Sequence, residues 1–397
     1  MPSTKVASAG LQPGAGGIAW QSVQTTGFTA VASRGYPLNT TSSAFTVTFP
    51  ASATAGDTIV LVDYAGTFST NNLTVNPNGL KIQTQTGNRI FNTNRLALTF
   101  TFIDSTQGWE LSSGYLEGTD PFYIPPYSID FLVVAGGGSG NLANGGGGGA
   151  GGYRTSTQTV NSGTAITVTV GDGGASVTTL SSQANNGSDS SISGSGLTTI
   201  TSTGGGGGSS PGLSNPGRNG GSGGGAVYNN TSGFGSGNTP STSPSQGNNG
   251  GQAGSSAPSY GGGGGGGANA VGGNGTNNIG GTGGAGTASS ITGSSVTRAG
   301  GGGGSSQDTA IGTGGAGGGG NGGHNSPGGT PGNGTANTGG GGGGAEGQPA
   351  SGSGGKGVVI LSVPTASYSG TTTGSPTVTT SGANTIMQFN GSGSYTA

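Results

Sequence analysis

Two short stretches decide the fold: IDFLVVAGGG at Ile129–Gly138 and GGKGVVILSVP at Gly354–Pro364. Each joins an apolar strand directly to a glycine run, in mirror order. The two strands are therefore expected to be sheet neighbours, so that the domain between them begins and ends at one pole. Of the 100 Gly in 397 residues, 13 precede residue 131 and 5 follow residue 357, leaving 82 between them. Runs such as Gly204–Gly208, Gly261–Gly267, Gly300–Gly304 and Gly339–Gly344 fill this body.

Ordering a glycine costs about 0.5–1 kcal/mol more backbone entropy than ordering an alanine. Composition alone therefore points towards disorder. The bounding strands point the other way, because a flexible linker does not start and stop at apolar strands. The ordered alternative is a bundle of extended helices with three residues per turn, a conformation open to glycine as well as proline. The strict Gly-X-Y period of collagen is absent. Rods without side chains can approach until N–H and C=O groups bond between them, which satisfies buried backbone without an apolar core. Residues other than Gly tend to fall three apart in the runs, as at Thr282 and Ala285, Thr313 and Ala316, and Asn321 and His324, which would place them on one outward face. The expected fold class is an all-β N-terminal module plus a glycine-rich bundle of polyglycine II-type helices closed by β-strands, with essentially no α-helix.

Outward from the body, the chain divides into a polar lead (1–17), a β module (18–115), a connector rich in Pro and aromatics (116–128), the glycine-rich domain (129–364) and a Thr/Ser-rich tail (365–397). In the module, Phe45, Val47 and Phe49, and then Leu96, Leu98, Phe100 and Phe102, alternate with period two. They predict half-buried antiparallel strands in a small sandwich or roll. The apolar run at Thr58–Ala65 reads as a strand covered on both faces. Trp20 and Trp109 are expected in core or subunit-interface packing. The tail is expected to add two or three strands that fold back on a neighbouring domain.

Several function classes are disfavoured. Nine Lys and Arg against eleven Asp and Glu give a net charge of -2, with no basic cluster for nucleic acid. Zero Cys and the lone His324 leave no multi-ligand metal site. The acids of the body are Asp172, Asp189, Asp308 and Glu346, none adjacent in sequence, so no catalytic carboxylate pair is expected. Gly-rich matches to a nucleotide motif lack the strand–helix frame that gives the motif meaning. No catalytic residue, cofactor or metal is expected. The N-terminus lacks a secretory apolar region, and no stretch approaches the roughly 18 apolar residues of a membrane span.

FLVVAGGGSG, the following GGGGGAGGYR (Gly145–Arg154), the many Gly runs and the closing GGKGVVIL together resemble the glycine-rich domains of bacteriophage tail-fibre and receptor-binding proteins, including those of marine and cyanobacterial phages. Ala44–Val75 resembles the β module that often precedes such domains. The resemblance implies a virion adhesin, made in the host cytoplasm, that binds a bacterial outer-membrane protein or polysaccharide through loops at the far end of the bundle. It also implies other virion tail proteins as partners of the N-terminus, and a homotrimer, which exposed strand edges would favour. It carries over no catalytic residue.

If rods alternate in direction, loops fall alternately at near and far poles. Candidate loops are 209–219, 226–249, 255–260, 287–299, 305–311 and 324–338. Tyr228, Phe234 and Tyr260 are rigid amphipathic groups suited to contact, and Arg298 and His324 could add polar specificity. The aromatics could equally cap the open end of the bundle, and His324 could be a solvated loop residue. A glycine-rich structural or surface-coating protein, including an ice-binding one with flat Thr/Asn faces, is the alternative function.

Overall fold

Alternation of apolar and polar residues builds the N-terminal unit, strand by strand. A computed structural model describes residues 17–113, 126–180, 182–211, 216–228, 233–255, 260–308, 310–325 and 329–397. The expected lead (1–17, save Gly17) and most of the expected connector (116–128) lie outside the described residues. The chain forms two compact units, Met1–Pro125 and Pro126–Ala397.

The strands of the first unit are β1 (Ala19–Trp20), β2 (Phe28–Thr29), β3 (Arg34–Leu38), β4 (Phe45–Thr48), β5 (Thr58–Asp63), β6 (Leu73–Asn76), β7 (Arg89–Phe91), β8 (Ala97–Asp104) and β9 (Gly108–Ser113). They make a five-stranded sheet, β1-β3-β5-β8-β9, and a four-stranded sheet, β2-β4-β6-β7. From β1 to β6 the chain crosses between sheets at every turn, so each sheet receives strands running the same way. Thus β1, β3 and β5 pair in parallel, as do β2, β4 and β6. Only β5–β8, β8–β9 and β6–β7 are antiparallel. This corrects the expectation of antiparallel pairing for the strand of Phe45 and Val47, whereas that of Leu98 and Phe100 is antiparallel as expected: period two locates a strand face but carries no information on the direction of its partner.

Val47, Phe49, Leu98 and Phe100 point into a shared core with Trp109, which lies 5.0 Å from Phe49 and 5.4 Å from Phe102 between ring centroids. In β5 only Ile59, Leu61 and Asp63 are buried, while Val60 and Val62 are half-buried, so this strand is not covered on both faces. Asp63 accepts the amides of Gly66, Thr67 and Arg95, which satisfies an inward carboxylate. Trp20, by contrast, is 57% exposed.

The second unit is a sandwich that turns into a bundle. Its strands are β10 (Tyr127–Val134), β11 (Tyr153–Val160), β12 (Ala165–Thr169), β13 (Ser190–Ser193), β14 (Ile200–Ser202), β15 (Thr287–Ser289), β16 (Val296–Arg298), β17 (Val358–Pro364), β18 (Thr372–Thr373), β19 (Thr377–Ser381), β20 (Asn384–Phe389) and β21 (Gly393–Thr396). One sheet runs β11-β10-β17-β20-β19 and the other β14-β13-β12-β21-β18, with β15 and β16 forming a separate hairpin. As expected, β10 and β17 are neighbours, with Phe131 opposite Leu361 and Val133 opposite Val359. Between the sheets lies a core that includes Phe131, Ile166, Ile192, Leu361, Phe389 and Tyr395. The tail therefore completes both sheets of the glycine-rich unit itself. No α-helix occurs among the described residues.

Stacked sheets stand about 10 Å apart because side chains fill the gap. Past Val134 and Ser202 the side chains vanish and the layers close. Ser202 and Ser190 mark the narrowing: Ser202 Oγ donates to the Val133 carbonyl at 2.8 Å, and Ser190 Oγ accepts the Gly171 amide at 2.9 Å. One turn further, backbone from the two layers bonds directly, Gly136 N to Ser188 O at 3.0 Å and Gly205 N to Gly136 O at 2.8 Å.

Rod 145–152 shows the lattice that results. The amides of Gly147, Gly148 and Gly149 donate to three different rods, at Gly263, Gly342 and Gly206 (3.0, 2.8 and 2.8 Å). Those of Ala150, Gly151 and Gly152 return to the same three, at Gly266, Gly339 and Thr203. The carbonyls rotate likewise: Gly147 accepts from Gly225, Gly148 from Gly302 and Gly149 from Gly138. Return after three residues is the rotation of a three-per-turn extended helix, and backbone lies on six sides of this rod. Consecutive rods alternate in direction. Rod 145–152 runs back along 135–141, with Gly138 N on Gly149 O and Ala135 N on Gly152 O. The loops consequently segregate into a base set beside the sandwich and a far set.

Candidate functional site

The far set contains the turn at Leu142–Asn144 and the connections leaving the rods at Val177, Ser209, Val227, Gly254, Thr276, Ser305, His324 and Ala345, as the inter-rod registers dictate. The far end carries a small apolar cluster of Leu142, Val177, Ala184 and Ala345. Beside it, Glu346 Oε2 accepts the Asn144 amide at 2.5 Å. Burial pushes the Glu346 carboxyl above its ordinary pKa, against the opposing effect of that hydrogen bond. Gln348 donates to the His324 carbonyl at 2.8 Å, tying two neighbouring loops.

Of the five side chains singled out from sequence, four lie at this end. Tyr228 and Tyr260 come from separate connections and pack against each other, ring centroids 4.7 Å apart at 33°. Phe234 is half-buried at the start of a rod whose Gly233 carbonyl accepts the Gly217 amide. His324 ends another rod, bridged to Ser306. Arg298 is elsewhere. It lies in β16 at the base, 5% exposed, in register with Thr287. Burial lowers the pKa of its guanidinium and raises that of the nearby Tyr153 phenol, the latter opposed by a hydrogen bond to Ser289 and by the Arg298 charge.

Three candidate loops need correction. The stretch 287–299 is the β15–β16 hairpin, turned through Gly293 at φ +89°, and belongs to the base. The stretch 226–249 is two connections separated by a rod at 233–238, in which Gly235 N bonds Gly224 O and Asn238 N bonds Gly221 O. Its second half lies at the base, where Gln246 Oε1 accepts the Thr203 amide at 2.8 Å. The stretch 324–338 is likewise divided, by a rod in which Gly332 N bonds Asn321 O and Thr335 N bonds Gly318 O. These rods escaped notice because they are edge rods. Contact on fewer sides lets Phe234, Ser236, Pro331 and Asn333 stand where an interior rod needs Gly.

A set of asparagines, not singled out from the sequence, holds the edges. Where a peripheral amide has no neighbouring rod, a side-chain oxygen replaces the missing carbonyl: Asn219 Oδ1 accepts Ser236 N (2.7 Å), Asn249 accepts Gly237 N (2.9 Å), Asn274 accepts Gln252 N (2.9 Å), Asn321 accepts Gly314 N (2.8 Å) and Asn333 accepts Ser353 N (2.9 Å). Asp189 does the same for Gly204 N at 2.8 Å. The signal was an Asn set inside or beside a Gly run.

The acids of the body are dispersed: Asp172 pairs with Lys356 at 3.1 Å, while Asp189 and Glu346 hold backbone amides. Among the described residues no group of three His, Cys, Asp or Glu could hold a metal ion, and no helix is long and apolar enough to cross a membrane. No curated protein sequence matches the chain. The sequence model of the glycine-rich domain family matches residues 118–364. That span takes in β10, the rod bundle and β17, so the chain belongs to the glycine-rich domain family.

Proposed function

We propose that the chain is a viral tail-fibre or tail-tip adhesin that binds a bacterial surface receptor, an outer-membrane protein or a polysaccharide, through the far loops of the rod bundle. One observation carries this reading: interior rods meet one another mainly through backbone, with few and small side chains such as Ser139 and Ala150 between them, so side-chain variety is concentrated at the edges and ends, and the base is occupied by the sandwich. The far end is thus where sequence can change without disturbing the lattice, as suits a recognition surface on a rigid scaffold. The Tyr228–Tyr260 pair supplies a tilted aromatic contact there that could serve as an anchor. In this reading the N-terminal unit joins other virion tail proteins and trimerises, and the chain acts by binding without catalysis. The surface-coating alternative draws less support, since the edge asparagines that could form a flat ice-matching face are spent on neighbouring amides.

The reading is tested by incubating the fluorescently labelled full chain with a panel of bacteria. Saturable binding to particular strains is expected, with loss of binding when Tyr228 and Tyr260 are both replaced by Ser. Absence of saturable binding to any strain, or undiminished binding by the double variant, contradicts it.

A further inference from the structure

Asn is followed directly by Gly at nine positions of the chain. Such a pair can react with itself, because a glycine without Cβ leaves its backbone nitrogen open to approach the preceding side-chain amide. In a folded protein the reaction requires both groups to be free, the Asn side chain and the Gly N–H.

Six of the nine pairs lie on the rods, and in each of them both groups are held. In three, a single residue of the neighbouring rod holds both. Ser236 donates its amide to Asn219 Oδ1 at 2.7 Å and accepts that of Gly220 at 3.2 Å. Gln252 does the same for Asn274 and Gly275 at 2.9 and 2.8 Å, and Ser353 for Asn333 and Gly334 at 2.9 and 2.8 Å. In the other three the two partners stand two residues apart on one rod. Gly207 and Gly205 hold Asn186 and Gly187, Gly237 and Gly235 hold Asn249 and Gly250, and Gly314 and Gly312 hold Asn321 and Gly322. At the far turn, Asn144 is buried and the Gly145 amide donates to the Ala345 carbonyl at 3.4 Å.

Two pairs stand off the lattice. In the first unit the Gly79 amide is free, but Asn78 Nδ2 donates to the Phe49 carbonyl at 3.0 Å and ties the side chain down. Asn390 is exposed in the connection from β20 to β21, which joins the two sheets of the second unit. Among the described residues the Gly391 amide has no backbone acceptor, and a Cβ on Gly391 would meet nothing within 4 Å. The one partner of the Asn390 side chain is itself flexible: Gln388 Nε2 donates to Oδ1 at 3.1 Å, which polarises the carbonyl towards attack. Exposure does not separate this pair from the others, since the six rod asparagines are exposed as well.

We propose that Asn390 is a site of spontaneous covalent modification, and that inter-rod hydrogen bonds keep the Asn-Gly pairs of the bundle unreactive. The Gly391 nitrogen gives its proton to a solvent base and bonds to Asn390 Cγ. The Cγ–Nδ2 bond breaks, and Nδ2 takes up a proton and leaves as ammonia. Water then opens the five-membered imide at either carbonyl, which leaves an aspartyl or an isoaspartyl link and a new carboxylate, with no oxidation or reduction. In a rod pair the same attack must first break the bond to the side-chain oxygen and the bond from the Gly amide, so it waits for local opening. The inference rests on the rod lattice and is independent of the adhesin reading.

The test is incubation of the full chain at mildly alkaline pH, folded and unfolded in guanidinium chloride, followed by peptide mapping with mass spectrometry. In the folded chain Asn390 should react at least about tenfold faster than any of the six rod asparagines, the factor expected from two net hydrogen bonds. In the unfolded chain the difference should vanish. Gly391→Ala, which the fold has room for, should slow the reaction at Asn390 about tenfold by crowding the attacking nitrogen. The proposal is overturned if Asn390 survives in the folded chain while it reacts in the unfolded one. It is equally overturned if rod asparagines of the folded chain react as fast as Asn390, or if Gly391→Ala leaves the rate unchanged.

Discussion

The Gly148 amide donates to the Gly342 carbonyl at 2.8 Å, although the two residues lie near opposite ends of the glycine-rich body. A Cβ on Gly148 would sit 2.1 Å from the Gly138 carbonyl oxygen, on a third rod. Glycine is required here by the closeness of the neighbours rather than by an unusual φ. At Gly302 a Cβ would lie 2.0 Å from the Gly342 oxygen, and at Gly265 the same distance from that of Gly148.

Gly148→Ala is accordingly expected to cost more than about 4 kcal/mol, or to prevent folding, because backbone of several rods would have to move. Gly391→Ala, where an added Cβ meets nothing within 4 Å, should stay within about 0.5 kcal/mol. Urea midpoints of the two variants measure the contrast.

Edge asparagines act as substitute carbonyls, so the chemistry of the acceptor matters more than the residue. Asn333→Ala should destabilise by about 0.5–1.5 kcal/mol by leaving the Ser353 amide to water. Asn333→Asp keeps an oxygen in place, as Asp189 does natively, and should cost less. Thermal unfolding of the pair checks this.

What was legible in the sequence follows from the same geometry. IDFLVVAGGG and GGKGVVILSVP announced the point where sheet becomes rod, because loss of side chains is what lets the layers close. The threefold spacing of Thr313 and Ala316 appears as two exposed positions on an edge rod. Edge rods at 233–238 and 330–335 were not legible, since a rod needs glycine only on the sides where it touches another. Arg298 was misplaced because TASSITGSSVTR reads as a polar loop. Its strands are only three residues long and owe their pairing to the base they cover. Tyr228 and Tyr260 could be named, but their ring contact depends on rods meeting across the lattice.

Glu346 should make stability fall as pH rises. Its folded pKa lies above the ordinary value of 4.5, so the folded state holds the proton more tightly. The stabilising contribution is complete below that value and is lost as pH climbs through the folded pKa. Glu346→Gln retains an oxygen for the Asn144 amide and should raise the thermal midpoint at pH 7 but not at pH values below about 4. A gain at low pH alone would contradict this assignment.

The aromatic pair at the far end tests recognition apart from stability. Replacing Tyr228 and Tyr260 by Ser removes a ring contact worth about 0.5–1.5 kcal/mol, a small part of a lattice held by backbone. Adsorption to cells should be lost with only a small shift in thermal midpoint. A collapse in stability would make the pair a cap.

The central claim is that the bundle is a rigid solid of inter-rod backbone hydrogen bonds. Hydrogen exchange of the amides of Gly147–Gly152 tests it most directly. The lattice predicts protection equal to that of the β10–β17 amides, since each of these six donates to a neighbouring rod. Exchange at unfolded-chain rates in rod 145–152, with β10 and β17 still protected, would contradict it.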